Sequence, residues 1–121
     1  MVPTATMPRS LMNSNQQYQS CIDACSKCAQ ICEECFALCL EEEDVHMRTT
    51  CMKVLVDCAE ICSTAACYMS RRSPLSKDLC NLCASICERC ATECDKFQDQ
   101  HCKDCANVCR SCADDCRNMQ L

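Results

Sequence analysis

The sequence predicts an all-α protein, an antiparallel up-down-up-down four-helix bundle with a cysteine-lined core. Two observations carry that expectation. The first is spacing: twenty of the 121 residues are cysteine, and Cys21, Cys25, Cys28, Cys32, Cys35 and Cys39 step by 4, 3, 4, 3 and 4. Cys80, Cys83, Cys87, Cys90 and Cys94 step by 3, 4, 3 and 4, as do Cys102, Cys105, Cys109, Cys112 and Cys116. These are the a and d positions of a helical heptad, the stripe that leaves water when helices pack. The second is composition: the chain has no glycine and only 3% aromatic residues. Tight strand hairpins therefore lack their usual turn residue. The core must instead be filled by small apolar groups, among which the free thiol counts.

Each element follows in order. Residues 1–13 carry Pro3 and Pro8, are poorly patterned, and read as a flexible N-terminal extension. The bundle domain spans 14–121. Its first helix is expected from Ser14, where Gln17 completes a capping-box pattern, to about Glu42. The acidic run Glu41 to Asp44 reads as a turn, with Asp44 capping a second helix that reaches about Arg71. Ser73-Pro74 opens the third, since proline is tolerated in a first helical turn, and that helix ends near Phe97. Asp99 caps the fourth, which runs to about Asn118. Short connections make consecutive helices antiparallel neighbours. Across the first hairpin Cys39 is then expected to face Cys51, Cys32 to face Cys58 and Cys28 to face Cys62, while Cys35 meets Leu55, Cys25 meets Ala65 and Cys21 meets Met69. Across the second, Cys94 pairs with Cys102, Cys90 with Cys105, Cys87 with Cys109, Cys83 with Cys112 and Cys80 with Cys116. Cys67 follows Cys62 by five and falls off the seam.

Charge excludes several classes of function. The net charge is −5 and basic residues are interspersed with acidic ones, which leaves no footprint for nucleic acid. No run of about 18 apolar residues suggests a membrane span, and Met1 to Met12 has no apolar core of a signal peptide. The expected location is the cytoplasm, where thiols stay reduced. No set of nucleophile, base and orienting group is apparent, so the chain is not expected to be an enzyme.

A lone buried cysteine is usually an inert packing residue, but leucine would stabilise a bundle better at sixteen seam positions, so something selects sulfur. Disulfides within one helix are disfavoured: residues three or four apart have Cβ atoms about 5–6 Å apart, against the ~3.5–4.5 Å a bridge needs. Metal binding remains. If twenty ionised thiols bind Cu(I) one for one the core is neutral, whereas five four-cysteine Zn(II) sites would leave ten negative charges inside it. Such burial is costly, and no lysine or arginine is expected on the seams to offset it. Soft thiolates select Cu(I), which accepts two ligands; zinc asks for four converging tetrahedrally. Iron–sulfur clusters usually need non-helical backbone around them. A metallothionein-like Zn(II) or Cd(II) buffer is the runner-up, and a disulfide-stapled structural protein the third class.

The chain resembles the cytosolic copper storage proteins, cysteine-rich four-helix bundle copper-binding proteins. The resemblance covers Tyr18 to Met119 and rests on CIDACSKCAQICEECFALCLEE, CMKVLVDCAEIC, CNLCASICERCATEC and HCKDCANVCRSCADDC. It implies several Cu(I) ions per chain, bound inside the bundle, and a homotetramer. The implied ligands are Cys21, Cys25, Cys28, Cys32, Cys35, Cys39, Cys51, Cys58, Cys62, Cys80, Cys83, Cys87, Cys90, Cys94, Cys102, Cys105, Cys109, Cys112 and Cys116. Cys67 is an added thiol, counted with the candidate metal ligands, and Leu55 stands in a layer where some relatives carry a carboxylate. His46 and His101, with Met47 beside them, fall at one end of the bundle and are candidate ligands there. The expected role is copper sequestration and detoxification and its supply, with copper chaperones or copper-requiring proteins as partners.

Overall fold

The computed structural model describes residues 16–119, and they form four helices. Helix α1 is Gln16–Leu40, α2 is Thr49–Ser70, α3 is Ser76–Cys94 and α4 is Gln100–Arg117. Each packs against its neighbours in sequence, and α4 closes on α1. The fold is the all-α bundle that the cysteine spacing predicts. The capping box at Ser14 and the extension before it lie outside the described residues.

The connections differ in detail from the sequence-based expectation. α1 ends at Leu40, and a 3-10 turn over Val45–Met47 precedes α2. Asp44 begins that turn rather than capping α2, and the N-cap of α2 is Arg48. The Asp44 carboxylate is diverted to Arg48, accepting a hydrogen bond from Nε at 2.7 Å. Asp99 does occupy the N-cap of α4, with extended backbone, but makes no side-chain cap bond; it too is turned toward Arg48. Pro74 sits in the turn before α3, where the Ser73 Oγ accepts from the Leu75 amide at 3.1 Å.

The end of α2 shows how a glycine-free chain stops a helix. Arg72 has a φ of 55°, the left-handed conformation usually given to glycine at this position. Its amide donates to Met69 C=O at 3.0 Å and the Ser73 amide donates to Tyr68 C=O at 3.0 Å. This is the paired 5→2 and 6→1 closure of a Schellman motif. A side chain at φ > 0 costs about 1 kcal/mol or more.

The core is a column of sulfur. Nineteen cysteines are buried and Cys67 alone is exposed; no buried one exceeds 4% exposure. Alanines flank them: Ala84, Ala91, Ala106 and Ala113, each immediately after a cysteine, are 0–1% exposed. Small residues beside a seam let helix backbones approach closely, and so bring sulfurs of different helices within reach of each other. The larger apolar core residues are few, with Leu55 and Met69 fully buried on α2.

Candidate metal centre

The sulfurs meet mainly between α1 and α4 and between α2 and α3. Cys62 and Cys83 are 3.5 Å apart, Cys58 and Cys87 3.6 Å, Cys21 and Cys116 3.6 Å, and Cys32 and Cys109 3.8 Å. Cys28 touches three helices, with Cys58 at 3.9 Å, Cys109 at 3.8 Å and Cys87 at 4.0 Å. The hairpin pairing expected from sequence holds only one level up. Cys28 with Cys62, Cys32 with Cys58, Cys83 with Cys112 and Cys90 with Cys105 each fall within groups of four sulfurs lying within 4.8 Å of one another. At the mouth Cys51 meets Cys94 at 3.8 Å, and Cys39 shares a group with Cys102. The reason is geometric. In a four-helix square, a and d side chains aim at the common axis and meet both neighbouring helices, whereas hairpin arithmetic treats two helices alone.

These spacings suit a shared ion. Two sulfurs at a metal–thiolate bond length of ~2.3 Å can lie up to about 4.6 Å apart with one metal between them, and the distances above fit within that. The same proximity splits the thiols into givers and holders of protons. Across the 4.0 Å contact between their sulfurs, Cys105 is pulled down by Cys109 and Cys109 is pushed up by Cys105. Cys112 and Cys116 divide in the same way, Cys112 lowered and Cys116 raised. Cys28 is lowered to about 7, chiefly by Cys109. A thiol that donates to its neighbour's sulfur stabilises a thiolate there and keeps its own proton.

The mouth of the column, where α1 and α3 end and α2 and α4 begin, corrects one expectation. A basic residue is buried there: Arg48 is 4% exposed. Its Nη1 donates to Cys102 Sγ at 3.5 Å and Cys39 Sγ at 3.7 Å, and faces Asp99 Oδ2 at 2.5 Å. The guanidinium also lies over the Phe97 ring, 4.4 Å from its centroid. Burial opposes its charge, but the Asp99 and Asp44 carboxylates outweigh that and raise its pKa. Arg48 in turn holds Asp99 below the usual carboxylate range. Cys102, by contrast, is pushed up to about 12 by burial first and by neighbouring Cys39.

The signal for this layer was in the sequence. Arg48 stands three before Cys51, Asp99 three before Cys102, Glu42 three after Cys39 and Phe97 three after Cys94. Arg48, Glu42 and Phe97 each take the next alternating step beyond the terminal cysteine of their seam, so extending the seam phase through the turns finds them; Asp99 lies one residue out of that phase.

The two histidines part company. His101 Nδ1 lies 3.4 Å from Cys35 Sγ and 3.6 Å from Cys102 Sγ, with Nε2 3.2 Å from Glu42 Oε1. It joins Cys35, Cys39 and Cys102 as a four-donor group at the mouth. His46 is exposed in the 3-10 turn, and Met47 beside it is 71% exposed. The turn lifts both away from the sulfur column.

A glycine-free bundle enclosing nineteen free thiols at these distances is a multi-thiolate metal-binding protein. The family model for the copper storage proteins matches residues 14–121, and the chain belongs to that family. It is 45% identical over 87 residues to the cysteine-rich protein YhjQ of Bacillus subtilis, covering 71% of this chain and 81% of that one. It is 43% identical to the Cu(I)-bound copper storage protein BsCsp3 from Bacillus subtilis, with a TM-score of 0.83 over 87% of this chain and 99% of the other. The copper storage protein of Streptomyces lividans loaded with 10 copper equivalents is 32% identical, with a TM-score of 0.83 over 94% and 92% of the two chains.

Proposed function

We propose that residues 14–121 form a cytoplasmic store that takes up Cu(I) as cargo, holds many ions in its thiol column, and yields them to copper-requiring proteins or their chaperones. The observation that carries the reading is the unbroken run of buried sulfurs from different helices at 3.5 to 4.0 Å. Two-coordinate Cu(I) matches such pairs, and each thiolate that binds one ion leaves the interior neutral. Every bound ion displaces protons to solvent, which couples uptake to pH. Storage asks for no reaction at carbon or phosphorus, and the chain is read as a non-enzyme. Among the described residues no helix is long and apolar enough to cross a membrane. Copies of the chain are proposed to assemble as a homotetramer, as the family resemblance implies.

Anaerobic titration of the reduced protein with Cu(I), with thiols counted before and after, tests the proposal. Binding should continue toward the twenty thiols of the chain. Saturation near five ions, the number for four-cysteine sites, would overturn it. Changing Cys67, the exposed thiol, to serine should cost one ion at most.

A further inference from the structure

The column does not end in a cysteine on every helix. The seam of α2 reads Cys51, Leu55, Cys58, Cys62, Ala65 and Met69, in steps of 4, 3, 4, 3 and 4. Leu55 and Ala65 bring no donor atom. Met69 does, and it sits at the end opposite the mouth. Its side chain is 0% exposed, and its Sδ lies 3.6 Å from Cys80 Sγ, which donates to it. Cys21 on α1 and Cys116 on α4, the cysteines of those helices nearest this end, are 3.6 Å apart. Four sulfurs, one from each helix, therefore close this end.

We propose that Met69 Sδ and Cys80 Sγ hold a Cu(I) ion in a mixed thioether–thiolate site, the terminal site of the column. The proposal rests on the storage reading above. A thioether is a soft donor suited to Cu(I), and the 3.6 Å separation is one that a single bridging ion spans. The charge balances: Cys80 loses one proton to solvent, its thiolate meets one Cu(I), and Met69 contributes a lone pair without charge. A neutral donor binds less tightly than a thiolate. This site therefore fills last. Leucine would pack in the same volume, so packing alone does not call for sulfur here.

Two measurements on the full chain test this. Crystals loaded anaerobically with Cu(I) should show an anomalous copper peak within bonding distance of both Met69 Sδ and Cys80 Sγ. Native mass spectrometry should show the highest loaded state of Met69→Leu one ion below the unaltered protein. A column filled with copper but without a peak at Met69, or Met69→Leu loading as the unaltered chain does, overturns the inference and leaves storage standing. Saturation of both proteins near five ions would overturn the storage reading, and this one with it.

Discussion

Arg48 is the residue that most changes how the site is understood. A thiol column was expected to hold no fixed positive charge, yet a guanidinium lies against Cys39 and Cys102 and is clamped by Asp44 and Asp99. Arg48→Met keeps much of the apolar stem but leaves Asp99, whose side chain is 24% exposed, without its guanidinium partner and with only the His101 imidazole 4.0 Å away. Breaking a buried pair costs about 3–5 kcal/mol; with this exposure a loss of about 1–3 kcal/mol is expected at pH 7 in urea unfolding of the reduced protein. The acid limb checks the cause. Arg48 depresses the folded-state pKa of Asp99, so the pair's contribution is present above the unfolded value of about 3.9 and disappears as pH falls through the depressed one. The gap between Arg48→Met and the unaltered protein should therefore narrow below about pH 4. A gap that stays constant would mean packing, not charge, is what Arg48 supplies. Arg48 escaped the sequence reading because it sits in a turn, where helical periodicity was not extended; Cys39, Cys51, Cys94 and Cys102 were legible because each lies inside a repeating seam.

At the scale of the helix, the glycine-free sequence leaves a mark at the end of α2. Arg72 carries a side chain in the left-handed region, and Arg72→Gly should raise stability by about 1 kcal/mol, read as a higher urea midpoint with an unchanged slope. A lower midpoint would show that the Arg72 side chain contributes more than its backbone costs. The helices themselves need no metal to form: buried thiols are small apolar groups, and the seams are already closed by helix–helix packing. The reduced, metal-free protein should give a helical circular dichroism spectrum and one cooperative thermal transition, and a disordered spectrum that becomes helical only on adding Cu(I) would contradict this. Helix number and the sulfur-lined faces could be read from a period of 3.5. Helix ends could not, because Asp44 and Asp99 resemble caps by type while their carboxylates are drawn to Arg48 instead.

For the whole molecule, the two ends of the bundle differ in chemistry. The mouth carries a chain of contacts from Arg48 through Asp99 and His101 to Glu42, whereas Tyr18, at 8% exposure, and Ser76, at 1%, are buried toward the other end. Uptake is therefore expected at the mouth, with the His101 imidazole passing Cu(I) to Cys35 or Cys102. His101→Ala should slow loading from a weak Cu(I) donor in stopped-flow while total capacity changes by one ion at most, and His46→Ala should leave the rate unaltered. Equal rates in His101→Ala and the unaltered chain would return the imidazole to a purely structural partner of Glu42. Beyond the mouth, the short sulfur spacing carries its own consequence. An ion bound between Cys32 and Cys109 already has Cys28 within 3.8 Å of one of its ligands, so it can take a third sulfur before releasing the first. Migration along the axis then proceeds by exchange of single bonds, without a bare ion or a water-filled passage, and a protein that looks sealed can conduct its cargo through a solid interior.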